Sequence, residues 1–175
     1  MEKEETKYWK FHHLGVIVGD MEKVVNYYRS LGFIYIDPPP PQPPKTGSAL
    51  RWVEMTSYGK TIVKDGELVV PLKISKSPPN TWCQIGTMTL ELIQPAEGLN
   101  NVLLDFLKKN GDGINHVGYT VGDGRFEEEI EKMKARGLDI IWSGKWTNNH
   151  GDSGGFCFFD TRKYGGILTE LMYLP

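Results

Sequence analysis

Two histidines, His13 and His116, lie in apolar segments where an imidazole needs a specific partner. They open closely similar octapeptides, H-L-G-V-I-V-G-D from His13 and H-V-G-Y-T-V-G-D from His116. Five of the eight positions match, at an offset of 103 residues (116 − 13). Apolar, β-branched runs bounded by glycine predict buried strands. Each imidazole is therefore expected to be paired or to bind a cation.

Two glutamates, Glu91 and Glu170, also sit in apolar segments, in L-E-L-I-Q-P and L-T-E-L-M. A lone strand histidine or glutamate is more often hydrogen-bonded or solvent-facing than metal-binding, but here all four match by repeat. If a pseudo-twofold axis relates the two halves, the two histidines and two glutamates converge. The predicted metal ligands are therefore His13, Glu91, His116 and Glu170. Mixed nitrogen and oxygen ligands suit one divalent ion, either Zn, Mn, Co, Ni or Fe(II), and leave positions for water or substrate.

The other two histidines are weaker candidates. His12 precedes His13, and the alternation of side chains along a strand predicts that it points to the opposite face. His150 lies in the polar segment N-N-H-G, which favours a surface or pocket-rim position.

Both halves predict the same order of elements. Each begins with a histidine strand, continues with a helix that follows an aspartate and ends near a glycine, and closes with the glutamate strand. In the first half, strands cover 11–19, 33–36 and 83–93, and a helix covers 21–30 after Asp20. In the second half, strands cover 113–123, 138–142, 156–159 and 167–173, a helix covers 126–136 after Asp123, and a loop extends to 154.

These elements predict an α+β protein of two paired βαβββ modules, in residues 11–95 and 114–175. Residues 1–10 form a lead-in, residues 96–113 form a linker helix and turn, and the first module has an insertion at about residues 37–72. The prolines of 37–44 favour a stiff, extended surface loop over a recognition segment for SH3-type or WW-type partners. Residues 49–55 predict a strand, and 61–70 predict a hairpin around Asp65-Gly66.

The composition narrows the class of protein. With 175 residues, 39% hydrophobic and 24% charged, the chain is in the range of globular proteins, and its net charge of −2 argues against nucleic-acid binding. We expect no membrane segment, because no apolar run approaches the length of a spanning helix. The polar N-terminus M-E-K-E-E-T-K predicts a cytoplasmic location. Cys83 and Cys157 form no CxxC pair, which favours two reduced structural thiols.

The motifs quoted above resemble the vicinal oxygen chelate, or glyoxalase/bleomycin-resistance, superfamily. The H-x-G strands, the glutamate strands and the paired modules carry this resemblance over nearly the whole chain outside the insertion. It implies an open, cup-shaped sheet around one divalent metal ion, and a homodimer. Within the superfamily, the tracts G-D-G-I-N-H-V-G-Y-T-V-G-D and G-G-I-L-T-E-L are most similar to methylmalonyl-CoA epimerases, which commonly have Gln or Glu where Glu91 stands.

The resemblance leaves the proton carrier open. These epimerases are thought to use a further carboxylate on a strand before the first acidic ligand. The matching stretch, residues 71–75, offers Lys73, whereas another alignment of the insertion offers Glu54. The ligand carboxylates are the other candidates, with Glu170 acting by loosening from the metal and Glu91 as its counterpart.

The resemblance thus implies a metal-dependent isomerase or lyase that stabilises an enolate. The expected substrate is a small molecule, either an acyl-CoA thioester or a related oxygen-chelating compound, with a glyoxalase-type isomerisation as the neighbouring reaction. An Fe(II)-dependent ring-cleaving or other oxygenase is one alternative. A non-catalytic, resistance-type binding protein is another, in which Trp52, Trp82, Trp142 and Trp146 line an apolar pocket.

Overall fold

A computed structural model describes residues 6–36, 50–68, 80–95, 101–122 and 124–175. The described residues form eleven strands and four helices. The strands are β1 Trp9–Ile17, β2 Ile34–Ile36, β3 Leu50–Ser57, β4 Lys60–Lys64, β5 Glu67–Leu68, β6 Asn80–Ile85, β7 Met88–Ile93, β8 Gly113–Val121, β9 Ile140–Asn148, β10 Ser153–Phe159 and β11 Leu168–Tyr173. The helices are α1 Met21–Ser30, α2 Asn101–Asn110, α3 Phe126–Ala135 and α4 Arg162–Gly165.

One sheet contains all eleven strands, in the order β2-β6-β7-β1-β8-β11-β10-β9-β3-β4-β5. Its first eight strands are two quartets, β2-β6-β7-β1 and β8-β11-β10-β9, which meet where β1 and β8 pair antiparallel. In each quartet the histidine strand pairs parallel with the glutamate strand, β1 with β7 and β8 with β11. The predicted α+β class with a strand-rich open sheet is confirmed.

Helices α1 and α3 occupy equivalent places in the two quartets. Helix α1 packs Met21, Val24, Val25 and Tyr28 against β1, β6 and β7. Helix α3 buries its predicted apolar face, Phe126, Ile130 and Met133, against β8, β10 and β11. Because α1 covers the face of β1 that carries Leu14 and Val16, His13 and Gly15 point to the opposite face of the sheet.

The two helices begin differently. The Asp20 carboxylate accepts a hydrogen bond from the backbone N–H of Lys23, 3.0 Å away, and so caps α1 as predicted. The residue before α3 is Arg125, which makes no side-chain cap within the described residues. Asp123, which the sequence predicts to open this second helix, lies outside the described residues, so its role there stays a prediction.

The inserted strands β3, β4 and β5 extend the second quartet, because β3 pairs antiparallel with β9. Strands β4 and β5 form the predicted hairpin, with Asp65 and Gly66 both at positive φ (53° and 83°). This backbone suits an Asp-Gly hairpin turn. The proline run and the stretch around Lys73 lie outside the described residues.

Two predicted element bounds are wrong. The stretch 83–93 is not one strand, because Gly86 adopts φ 56° and a two-residue turn joins the antiparallel strands β6 and β7. The loop predicted to extend to 154 is also shorter, since β9 continues to Asn148 and β10 begins at Ser153. Cross-strand pairing with β10 and β3 stabilises this longer strand despite its polar residues.

No helix in the described parts of the chain is both long and apolar enough to span a membrane.

Candidate metal centre

The four predicted ligands lie on four adjacent strands of the sheet, β7-β1-β8-β11. His13 is on β1, His116 on β8, Glu91 on β7 and Glu170 on β11. Glu91 is paired with Gly15, and Glu170 with Gly118, the equivalent glycine of the second half (118 − 15 = 103). The repeated sequence therefore places each glutamate at the same ladder position relative to its own histidine strand.

Their side chains meet in one cluster, with one ligand atom of each residue within 4.8 Å of the others. The Nε2 atoms of His13 and His116 are 3.1 Å apart. The Oε2 atoms of Glu91 and Glu170 each lie 3.2 Å from His13 Nε2, and 3.6 and 3.7 Å respectively from His116 Nε2. Both imidazoles are fully buried, and the Glu170 side chain is 6% exposed.

The glycine of each H-x-G motif accommodates the histidine of the other half. A Cβ built on Gly15 would lie 1.8 Å from Cε1 of His116, and one built on Gly118 would lie 2.2 Å from Cε1 of His13. Real Cβ atoms do not approach other atoms so closely. Glycine at these two positions therefore makes room for the cluster.

The electrostatics of the cluster favour carboxylates facing a cation. Burial lowers the pKa of His13, but the Glu170 and Glu91 carboxylates outweigh burial and raise that pKa from 6.5 to about 9. Burial raises the pKa of Glu91, but the imidazoles of His116 and His13 outweigh it and hold the pKa well below its usual range. A bound divalent ion would compete with the His13 proton for the same atoms.

The donor set fits a single divalent ion. Ligand atoms about 2.0–2.2 Å from one ion are themselves about 3 to 3.5 Å apart, close to the separations found here. Glu170 Oε2 is buried and, within the described part of the chain, accepts no hydrogen bond, although it is close to His13 Nε2. A buried carboxylate oxygen without a donor is costly, and coordination to a cation would offset that cost.

His12 does not point to the face of the strand that regular side-chain alternation predicts. Its ring contacts that of His13, with the Nδ1 atoms 2.9 Å apart, so both histidines are on the same side of the strand. The cause is an irregularity in the β1–β8 pairing: Phe11 pairs with Tyr119 and His13 with the next residue, Gly118, leaving His12 as an extra residue. The prediction that His12 points to the opposite face is wrong because a β-bulge interrupts the alternation.

Aromatic rings surround the histidines. Trp82, which is buried, contacts the rings of both His12 and His13 at centroid distances of 5.5 and 5.0 Å. Phe158 lies 4.8 Å from the His116 ring and stacks on Trp142. These rings exclude water from the imidazoles on both sides of the cluster.

The other two tryptophans of the predicted apolar pocket, Trp52 and Trp146, lie on β3 and β9. Trp52 contacts Phe156, which in turn contacts Trp142. Trp146 packs on Gly154, where a Cβ would lie 2.2 Å from its ring.

Two other candidate residues, Glu54 and His150, are not part of the cluster. Glu54 is exposed on β3 and lines a cavity of about 200 Å³ together with α3 residues such as Glu127 and with Lys145. His150 is exposed in the turn between β9 and β10. Lys73 lies outside the described residues. Asn115, which sequence reasoning did not select, is 2% exposed, and its Oδ1 lies 3.1 Å from His116 Nδ1.

Among curated proteins, none matches the chain significantly. Many solved structures match the chain, and three examples share the fold over most of both chains. A protein of Bacillus halodurans described as hypothetical protein BH1468 is 21% identical, with a TM-score of 0.58, over 97% of this chain and 96% of the other.

The other two structures are methylmalonyl-CoA epimerases. The Mycobacterium tuberculosis enzyme is 17% identical, with a TM-score of 0.55, over 94% of this chain and 87% of the other. A Streptomyces coelicolor variant in complex with 2-nitronate-propionyl-CoA is 16% identical, with a TM-score of 0.58, over 94% of each chain. At these identities the similarity is one of fold.

One family model matches most of the sequence. The model of the Glyoxalase/Bleomycin resistance protein/Dioxygenase superfamily matches residues 12–158, a span that includes His13, Glu91 and His116. Together with the paired quartets and the position of the two H-x-G strands, this match shows that the chain belongs to the glyoxalase/bleomycin resistance protein/dioxygenase superfamily.

Proposed function

We propose that this protein is a divalent-metal-dependent isomerase or lyase that stabilises an enolate, acting in the manner of an epimerase on an acyl-CoA thioester or a related carbonyl substrate. The observation that carries the proposal is the buried cluster of two imidazoles and two carboxylates at equivalent places in the two quartets. The structural similarity to methylmalonyl-CoA epimerases supports the thioester as the first substrate class to test.

The first requirement of the reaction is binding of the ion. His13, Glu91, His116 and Glu170 would hold it. A divalent ion at this position supplies positive charge that offsets the negative charge developing on the substrate oxygen when the neighbouring carbon loses a proton. The two carboxylates balance the charge of a divalent ion, which makes the complete cluster neutral when both imidazoles are neutral.

The second step is proton transfer by a carboxylate. Glu91 and Glu170 lie on β7 and β11, which flank the β1–β8 pair on opposite sides. Glu170 is our candidate base and would act by loosening its buried Oε2, which accepts no hydrogen bond within the described chain, from the ion. Glu91 is the counterpart on the other side, where its lowered pKa keeps the carboxylate ionised.

The third step is exclusion of water. The imidazoles are fully buried, and Trp82 and Phe158 pack against them. An environment of low polarity strengthens the interaction between a fixed charge and a developing enolate.

The test is solvent deuterium exchange at the α-carbon of acyl-CoA thioesters, measured by mass spectrometry with metal-loaded protein, beside a hemithioacetal isomerisation assay. We expect exchange with at least one thioester, loss of exchange in Glu170→Gln, and unchanged exchange in the matched exposed control Glu67→Gln on β5. In parallel, metal analysis should show loss of stoichiometric metal in His116→Ala and Glu170→Ala.

Three outcomes would contradict the proposal. Retention of stoichiometric metal by both alanine variants would exclude the assigned site. Oxygen uptake by the Fe(II)-loaded protein would support the oxygenase alternative instead. Tight stoichiometric ligand binding without turnover in metal-loaded protein would support a binding protein.

A further inference from the structure

Two β-bulges lie symmetrically around the metal centre. In the β1–β8 ladder, His12 is the extra residue between the pairs Phe11–Tyr119 and His13–Gly118. The second irregularity lies between the pairs Gly15–His116 and Val16–Ile114, where Asn115 is the extra residue on β8. His12 and Asn115 are related by the same offset as the two histidine ligands (115 − 12 = 103), and each directly precedes one of them.

The bulges have the same consequence in both halves. In a regular strand, consecutive side chains point to opposite faces, so a residue cannot contact the ring of the next one in this way. Here His12 Nδ1 lies 2.9 Å from His13 Nδ1, and Asn115 Oδ1 lies 3.1 Å from His116 Nδ1. Each bulge thus places a polar atom beside the ring nitrogen that faces away from the cluster.

The hydrogen-bond chemistry decides which ring nitrogen is available to an ion. The Asn115 Oδ1 atom can only accept, so His116 Nδ1 carries the hydrogen and Nε2 presents its lone pair. Between His12 and His13, one Nδ1 must donate. Only if His13 donates can its Nε2, which points to the two carboxylates, act as a ligand.

We propose that His12 and Asn115 are positioning residues that hold both ligand imidazoles with hydrogen on Nδ1 and with Nε2 directed at the ion. The inference rests on the metal binding of the proposed function and extends it to two residues that do not touch the ion. Trp82 supports the first of them by packing edge-on against the rings of both His12 and His13. Asn115 is buried within the sheet, with 2% of its surface exposed.

The experiment measures Zn²⁺ affinity by calorimetry for His12→Leu and Asn115→Leu, which remove the acceptor, and for His12→Asn and Asn115→Asp, which retain one. Loss of an outer partner of a ligating histidine lowers metal affinity by about 10- to 100-fold. We expect that loss in both leucine variants, and affinities close to that of the unchanged protein in His12→Asn and Asn115→Asp. The matched control is His150→Leu, which changes an exposed histidine.

A second measurement is independent of metal. In protein stripped of metal, ¹H–¹⁵N correlation spectra of the histidine rings should show slowly exchanging Nδ1–H groups at His13 and His116. The signal of His13 should lose its protection in His12→Leu but not in His12→Asn, and that of His116 should lose it in Asn115→Leu. Circular dichroism would show whether a leucine variant fails to fold. In that case the Zn²⁺ affinities and ring spectra of the acceptor-retaining variants would be compared directly with those of the unchanged protein.

The outcomes separate the two proposals. If the unchanged protein binds none of Zn²⁺, Mn²⁺, Co²⁺, Ni²⁺ and Fe²⁺, the proposed function fails, and the ring spectra alone decide the positioning role. If Zn²⁺ binds but the folded His12→Leu variant binds it equally well, or His12→Asn binds as weakly as His12→Leu, the positioning role is overturned. Ring spectra without an Nδ1–H at His13 in the unchanged protein would also overturn it.

Discussion

Gly15 lies directly opposite His116 on the neighbouring strand, and a Cβ on Gly15 would fall 1.8 Å from the Cε1 atom of that ring. Gly118 has the same relationship to His13. The glycine of each H-x-G motif therefore makes room for the histidine of the other motif, and not for its own. Each histidine occupies space left by the glycine of the other half, which couples the two quartets at their shared β1–β8 pair.

Substitution of these glycines should disturb the cluster. We expect Gly15→Ala to displace the His116 ring, to cost about 1–3 kcal/mol of unfolding free energy, and to lower metal affinity. Gly118→Ala should act in the same way on His13. Urea unfolding and Zn²⁺ titration measure the two effects.

The matched control is Gly122→Ala, because a Cβ at that exposed position would meet no described atom within 4 Å. If Gly15→Ala and Gly122→Ala had the same stability and metal affinity, the close approach of Gly15 to His116 would not be required for the site.

Protein stripped of metal should lose stability as the pH rises from neutral to alkaline values. The folded-state pKa of His13 is raised from 6.5 to about 9 by Glu170 and Glu91 against the opposing effect of burial. A group with a raised pKa stabilises the fold fully below its unfolded pKa, and this contribution disappears as pH rises through the folded pKa. Urea unfolding between pH 6 and pH 10 in the presence of a chelator measures the change, which His13→Asn should abolish.

Metal binding should release a proton over the same range. Because a ligating imidazole must be deprotonated at the coordinating nitrogen, binding at pH 7.5 should release about one proton per ion from His13, and affinity should increase with pH up to about 9. Calorimetry in two buffers with different ionisation enthalpies counts the protons. Identical heats in both buffers would show that His13 does not hold this proton.

The contact between Trp9 and Glu129 should contribute to stability. Glu129 on α3 is 1% exposed, and its Oε2 accepts a hydrogen bond from Trp9 Nε1 at 2.8 Å. Trp9→Phe removes a donor from a buried carboxylate, and we expect a loss of about 1–3 kcal/mol in unfolding free energy. In a Glu129→Gln background the same change should cost less, and equal costs in both backgrounds would exclude coupling between the two residues.

Both cysteines should be inert in the folded protein. Burial raises the pKa of Cys157 to about 12 and also raises that of Cys83, so little reactive thiolate exists near neutral pH. We expect a disulfide-exchange reagent to label neither residue at pH 8 until the protein is unfolded, when both should react. Rapid labelling of the native protein would contradict the buried positions of both thiols.

Several elements could be predicted because their signal is local. The apolar spacing of Phe126, Ile130 and Met133 indicated the face of α3 that packs on the sheet, and Asp20 indicated the start of α1. The turn at Gly86 was missed although an Ile-Gly-Thr-Met sequence between apolar arms contains a hairpin signal. Apolar and β-branched residues on both sides of this glycine favour a strand, which is why residues 83–93 were predicted as one strand.

By itself, the sequence determined the chemistry of the candidate site. The repeat at an offset of 103 residues identified His13 and His116 as equivalent. The shared order of elements then added Glu91 and Glu170, although 78 residues separate histidine from glutamate in the first half (91 − 13) and 54 in the second (170 − 116). Only the tertiary structure decided the positions of His12 and Asn115, the role of Gly15 and the pairing of β3 with β9. These features depend on which residue lies across a strand pair, often about a hundred residues away, and the periodicity of one strand contains no information about its partner.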